Sequence, residues 1–381
     1  MKTYSQGSLR ERSKGRWQAR FCVTMNGTSK IVSRSFEATS PRAAREKMME
    51  IRRELEEAGI NNQSETNLVD YMHAYIADRT DAGLIEPSTA SNYRSSVKHI
   101  ARYMSDYAIG DVTPDSILSM QAGLLREGLV ADTVAKDHRF LKQVMAYAVD
   151  MGHIVKTPFN RSVKPPHRGK PMPNALDEDS KATLLQMLNT SPVSRLSIAI
   201  KLAVFASMRR EEACGLRWED VNFDAKTLSL SNAIGVADNK TYLKGTKTQS
   251  GERTVPLEQS LCDDLLFWAE NHAEKKNGIP VGFVLGSGEK YYSPILLTKD
   301  FSALSRALGL KGVTGKRATF HDLRDTFATQ LIEKGVSVRV VADLLGHSDP
   351  SMTLKVYTSS TAFGMGTAVN AIGELASQAT A

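Results

Sequence analysis

The 381-residue chain predicts a mainly α fold with small β-sheets: an N-terminal three-stranded sheet plus a helix, a helical bundle, and a C-terminal α+β domain. Three observations carry this prediction. Apolar residues alternate with period two just after the N-terminus, helical periodicity fills Thr66 to Thr157, and a proline-rich basic stretch then opens a longer segment of mixed pattern. With 41% apolar and 24% charged residues, the chain is long enough for two or three domains with cores of their own, which excludes disorder as its dominant state.

In the first region, Trp17, Ala19, Phe21 and Val23 share one strand face, with Arg16, Gln18, Arg20 and Cys22 on the other. Asn26-Gly27 supplies a type I′ turn signal, and Ser29 to Ala38 reads as the return. Ser40-Pro41 opens a helix that continues over Arg42 to Ala58 and stops at Gly59. Residues 1–60 are therefore one unit, and Arg16, Arg20 and Arg34 are candidate cations on its sheet.

The second unit, residues 64–160, reads as a bundle with helices over Asn67 to Thr80, Pro87 to Tyr107, Thr113 to Glu127 and Ala131 to Met151. Arg94, Lys98 and Arg102 recur every four residues and form a basic stripe, with Lys136, Arg139 and Lys142 in a similar arrangement on the last helix. Residues 161–173 hold four prolines beside Arg161, Lys164, Arg168 and Lys170, the composition of an extended basic linker. The third unit, 174–360, is predominantly helical. It has strands at Thr227 to Leu230, Thr241 to Gly245 and Arg253 to Leu257, and a tail over 361–381 in which Val369, Ile372, Leu375 and Ala376 fall on one helical face.

The formal charge of +7 is unevenly spread. Ten Lys and Arg against Glu11 and Glu37 lie within the first 45 residues, so the head carries the whole excess and suggests a polyanionic partner. Three cysteines, Cys22, Cys214 and Cys262, have neither disulfide-framework nor metal-ligand spacing. The polar N-terminus has no signal-peptide core, and the longest apolar stretch, Leu196 to Met208, is broken by Lys201 and too short to span a bilayer. A cytoplasmic protein without a membrane partner is expected.

Common enzyme signatures are missing. Gly309 to Lys316 has the wrong glycine spacing for a phosphate loop, and Arg317 stands where Ser or Thr would hold magnesium. No HExxH, GxSxG or paired Cys/His framework occurs, so neither ATP, a metal nor another cofactor is expected.

What the sequence does hold is a set of basic residues in dense local patterns: Met208 to Asp220, then Lys247 in a turn before Val255-Pro256-Leu257, then His321-Asp322-Leu323-Arg324, then Leu345-Gly346-His347, and finally Tyr357. These motifs, in this order, resemble the tyrosine recombinase (phage integrase) family. The pattern Arg-x-x-Glu-x-x-x-Leu-x-Trp-x-Asp fits Arg209 with Glu212, Leu216, Trp218 and Asp220, whereas a start at Arg210 needs an acid at Ala213. Leu216, Trp218 and Asp220 are assigned to packing and capping. The resemblance spans nearly the whole chain. It implies an arm-site DNA-binding head, a core-site DNA-binding bundle and a catalytic domain with Arg209, Lys247, His321, Arg324, His347 and the nucleophile Tyr357. It also implies integration and excision of a mobile element by a homotetramer, through a 3′-phosphotyrosine and a Holliday junction. Double-stranded DNA is then the partner, with an excision factor and a DNA-bending host protein as accessory partners, and the enzyme is nucleoid-associated when bound.

The residue types suit that chemistry. Arginines fork onto non-bridging phosphate oxygens, a tyrosine attacks phosphorus, and a lysine supplies the proton for the leaving 5′ oxygen. Two departures from the family pattern occur: Ala206-Ser207 replaces its Thr-Gly ahead of the first arginine, and Asp325 follows Arg324 where the family often has His. The alternatives are a type IB topoisomerase, against which the extra head speaks, and a non-catalytic DNA-binding regulator, against which the six intact residues speak.

Overall fold

The computed structural model describes residues 3–13, 15–25, 28–60, 64–167, 169, 172–245, 252–346 and 349. The Asn26-Gly27 turn, Arg168, Lys247, His347, Tyr357 and the tail face lie outside them. The chain divides into two compact units, Met1–Arg168 and Gly169–Ala381.

The first unit begins with β1 (Thr3–Tyr4), β2 (Ser8–Ser13), β3 (Arg16–Met25) and β4 (Thr28–Glu37). β3 is central: β4 pairs along one edge, and β1 and β2 follow each other along the other. The sheet is thus three strands wide, as expected, with its first edge broken into two strands. Helix α1 (Pro41–Ile60) packs on the sheet, and Ala19, Phe21 and Ala44 are fully buried.

α2 (Leu68–Asp81), α3 (Pro87–Met104), α4 (Pro114–Arg126) and α5 (Ala131–Asp150) follow, close to the expected bounds. Three of the four starts carry a local signal in the sequence. The Asn67 side chain accepts hydrogen bonds from the Val69 and Asp70 amides, Pro87 fills the first position of α3, and Thr113 and Ser116 cap α4 reciprocally. Met72, Ile100, Ile117, Met120, Leu124 and Leu141 form the core of this bundle. Val163 is buried in the same core, so the first residues of the expected linker belong to the bundle.

The second unit starts with α6 (Glu178–Thr190), α7 (Arg195–Phe205) and α8 (Arg210–Gly215), followed by β5 (Val221–Asn222), β6 (Thr227–Leu230), β7 (Asn232–Ala237), β8 (Lys240–Gly245) and β9 (Arg253–Pro256). α9 (Gln259–His272), β10 (Glu274–Lys276), β11 (Ile279–Val281), α10 (Pro294–Ala307), α11 (Phe320–Glu333) and α12 (Val338–Leu345) complete it. α7 is the hub, packed against α8, α9, α10 and α11. It is apolar nearly all round because it is buried nearly all round, and its one buried cation, Lys201, pairs with Asp264 at 2.7 Å.

The expected strands are present but divide between two sheets, β5-β6-β9 and the β7-β8 hairpin. The hairpin turns on Asp238 and Asn239, both at positive φ. α8 is seated on β7 through Gly215, where a Cβ would come within 2.7 Å of the Ala233 backbone.

Candidate functional site

The first candidate arginine closes α7 onto α8. Arg209 is the N-cap of α8, and its amide donates to Glu212 Oε2 at 2.8 Å, which ends the turn and starts the helix. Its guanidinium donates to Glu212 Oε1 at 2.6 Å and to the Gly346 carbonyl at 3.3 Å. Arg210 goes elsewhere: it pairs with Glu211 and donates to Thr298 Oγ1 on α10 at 2.7 Å. The two adjacent arginines are therefore separated by geometry as well as by motif.

α11 supplies the next two candidates. Thr319 donates its amide to Asp322 Oδ2 at 2.7 Å, and Asn174 reaches the same oxygen at 3.2 Å, which fixes the first turn of the helix. His321 and Arg324, three residues apart, lie on neighbouring positions of one helix face. His321 is exposed and has no hydrogen-bond partner among the described residues. Arg324 is 3% exposed and donates to the Ser207 and Leu345 carbonyls. Asp325, next along the helix, is half-buried.

Both arginines thus meet the same feature, the C-terminal end of α12. Gly346 closes that helix at φ 60°, in the left-handed region glycine favours. Leu344, Leu345 and Gly346 present three successive carbonyls there, and they accept from Arg253, Arg324 and Arg209 respectively. Arg253 is a residue that the motif reading passes over. It sits at the start of β9 with a nearly buried side chain and grips Glu212 with both terminal nitrogens, at 3.2 and 3.0 Å. Its one sequence signal is a lone cation opening the otherwise apolar run Val255-Pro256-Leu257. Burial pushes the Glu212 carboxyl up, but hydrogen bonding and charge from Arg253, with the charge and amide of Arg209, outweigh it and hold the pKa at about 2. Glu212 is therefore an anion between two cations.

Leu216 and Trp218 are buried in the core, and Asp220 accepts from the Arg217 amide at 3.3 Å. Burial raises the Cys214 thiol to about 12 and also raises Cys262, which leaves neither suited to nucleophilic chemistry. No group of ligand side chains that could hold a metal occurs among the described residues.

The proposed DNA-contacting cations are placed unequally. Arg16 and Arg20 lie on the open sheet face, where β2 adds Arg10 and Arg12, cations that the earlier alternation would also have flagged. Arg34 is exposed and pairs in register with Ala19, so it belongs to the opposite, helix-bearing face from Arg16 and Arg20. On the bundle, α3 and α5 border a groove of about 430 Å³ lined by Lys136 and Arg139 together with Asn92, Ser95 and His99. Arg94, Lys98 and Arg102 are not among its lining residues, and Arg102 is engaged by Glu127 at 2.8 Å. Asn92, Ser95 and His99 leave no charge pattern in the sequence by which this lining could be read. Lys164 is exposed. No described helix is long and apolar enough to cross a membrane.

Residues 174–362 match the Phage integrase family and residues 67–164 the Phage integrase SAM-like domain. The tyrosine recombinase XerC-like protein of Caldanaerobacter subterraneus subsp. tengcongensis is 27% identical over 320 residues, covering 77% of this chain and 79% of that protein. Tyrosine recombinase XerC of Halalkalibacterium halodurans is 28% identical over 283 residues, covering 72% and 88%. In fold, the chain resembles the Tn1549 transposon integrase in complex with transposon right end DNA, with a TM-score of 0.62 at 21% identity over 76% of this chain and 94% of that one. It also resembles a lambda integrase dimer bound to a core site, with a TM-score of 0.58 at 22% identity over 91% and 93%. The chain belongs to the phage integrase (tyrosine recombinase) family and is a tyrosine-type site-specific recombinase.

Proposed function

We propose that this recombinase integrates and excises a mobile element, cutting and rejoining DNA through a 3′-phosphotyrosine and a Holliday junction within a homotetramer. The observation that carries this reading is the convergence of Arg209 and Arg324 on the end of α12, with His321 exposed on the same helix as Arg324. Two guanidiniums held in one place suit the two non-bridging oxygens of a scissile phosphate, whose negative charge grows in the pentacoordinate transition state. Tyr357 Oη forms the new bond to phosphorus as the bond to O5′ breaks. His321 takes the tyrosine proton, Lys247 gives one to the departing 5′ oxygen, and His347 hydrogen-bonds the phosphate. The phosphotyrosine preserves the phosphodiester energy, so religation to a new 5′-hydroxyl needs no nucleotide cofactor.

Residues 1–60 serve as an arm-site domain, 64–160 as the core-site domain, 161–173, whose first residues pack on the bundle, as the linker between them and the catalytic domain 174–360, and 361–381 as a tail that contacts a neighbouring protomer. The arm reading is supported by coverage. Likeness to the lambda integrase dimer extends over 91% of this chain, against 76% for the lambda fragment of residues 75–356. Arg10, Arg12, Arg16 and Arg20 then meet arm-site phosphates, and the α3/α5 groove with Lys136 and Arg139, together with Lys164, meets the core site. An excision factor and a DNA-bending host protein set the direction.

The test is strand exchange between two labelled duplexes carrying the element's attachment sites. Recombinant products, with a four-way junction trapped by a strand-specific nick, support the reading. Relaxation of supercoils without exchange would make the enzyme a topoisomerase.

A further inference from the structure

The turn between α7 and α8 contains a residue that pays no part in the chemistry above and is nonetheless held in an unfavourable backbone conformation. Ser207 has φ 51°, in the left-handed region that residues with a Cβ avoid, and it is completely buried. Its hydroxyl and its carbonyl both face the site. Its Oγ donates to the Leu344 carbonyl at 2.8 Å, and its own carbonyl accepts from the Arg324 guanidinium. Arg253 Nε donates to the same Leu344 oxygen at 2.9 Å, so that oxygen is shared between the hydroxyl and a guanidinium that also clamps Glu212. Two residues later comes Arg209, which reaches Gly346.

A glycine would take this φ without cost and would leave Arg324 its carbonyl. What only serine adds is the hydroxyl bridge from the α7–α8 turn to the last turn of α12. We infer that Ser207 is a positioning residue: its hydroxyl latches the end of α12 to the turn that carries Arg209 and whose carbonyl holds Arg324, and so fixes the point at which the chain leaves α12 toward His347 and Tyr357. This inference rests on the recombinase chemistry proposed above. The latch touches neither DNA nor the reacting atoms, so it acts on the cleavage step and not on binding.

The experiment compares wild type, Ser207→Gly and Ser207→Ala on a nicked suicide substrate carrying the attachment site. Affinity is measured separately, together with hydrogen exchange in peptides covering Val338 to Gly346. One lost neutral hydrogen bond predicts about a fivefold slower adduct formation at saturating DNA for Ser207→Gly, with an unchanged dissociation constant. The same variant should exchange about fivefold faster across the end of α12 and no faster in α9. Ser207→Ala keeps the strained φ and loses the hydroxyl, so it should show the same rate defect with a lower melting temperature. Combining Ser207→Gly with Arg253→Lys should be non-additive, because both act on the Leu344 oxygen. Wild-type rate and wild-type exchange in Ser207→Gly would overturn the inference, as would equal losses in rate and affinity. If wild type itself forms no adduct, the proposed chemistry fails, and the exchange comparison alone decides whether the latch exists.

Discussion

Replacing Glu212 with glutamine removes the anion that joins Arg209 to Arg253. Both Glu212 and Arg253 are nearly buried, at 6% and 7% side-chain exposure, so the variant leaves a guanidinium in the interior facing a neutral amide. Breaking such a pair from one side costs about 3–5 kcal/mol. The titration of Glu212 gives an independent figure. Its pKa falls from 4.5 to about 2, and at about 1.4 kcal/mol per unit this is about 3 kcal/mol of stability at neutral pH. The folded-state pKa is depressed, so this contribution is complete above the unfolded value of 4.5 and disappears as pH falls toward 2. About 2 kcal/mol of it should be gone by pH 3. The assay is urea unfolding of wild type and Glu212→Gln from pH 7 to pH 3, followed by the fluorescence of Trp218 and Trp268 in a Trp17→Phe background. The stability gap between the two proteins should be about 3 kcal/mol at pH 7 and about 1 kcal/mol at pH 3. A gap near zero at pH 7, or one that does not narrow with acid, would refute the coupling of Glu212 to the two arginines.

Further outcomes follow from the same geometry. Arg209→Lys should slow adduct formation by about 100-fold or more, as loss of a transition-state donor does, while Arg210→Lys, whose parent residue contacts Thr298, stays within a few-fold of wild type; single-turnover cleavage distinguishes them. Arg20→Gln should lower the slope of log affinity against log salt for arm-site DNA by about 1, and Arg34→Gln, on the other sheet face, should change it much less. Maleimide should label exposed Cys22 quickly and spare buried Cys214 and Cys262 in the folded protein, and arm-site DNA should protect Cys22, which shares the open face with Arg20; mass mapping of labelled peptides reads both effects.

Three of the four bundle helices were legible from a local start signal, Asn67, Pro87, or the Thr113 and Ser116 pair, whereas α5, with Val130 at its N-cap, was legible from its apolar periodicity alone. The head was legible because Ala19 and Phe21 alternate with Arg16 and Arg20. Strands in the second unit were less so. β7, Asn232–Ala237, has buried residues at Ala233, Ile234 and Gly235 in succession, which erases a period of two, and its turn uses Asp238-Asn239 instead of a glycine pair. β10 and β11 flank an Asn277-Gly278 turn, yet strands of three residues are too short for any alternation to register. In the site, motif spacing marks the residues that would touch phosphate. It assigns no role to Arg253, and it marks Ser207 only as a departure from the family pattern; the two act on Glu212 and on a backbone carbonyl, partners identifiable only once α12 has folded against the α7–α8 turn. Arg34 shows the opposite limit: charge alone places it with Arg16 and Arg20, and only the strand register reveals which face it occupies.

The central claim is that this chain breaks DNA by transferring a phosphate to Tyr357 within a pocket built around Arg209 and Arg324. The most direct measurement is capture of the covalent complex on a nicked attachment-site substrate, followed by nuclease trimming and peptide mass spectrometry. The account predicts a nucleotide linked through its 3′-phosphate to the peptide bearing Tyr357, absent from Tyr357→Phe and strongly reduced in Arg324→Lys. A covalent complex that persists in Tyr357→Phe, or one mapped to another residue, would contradict it.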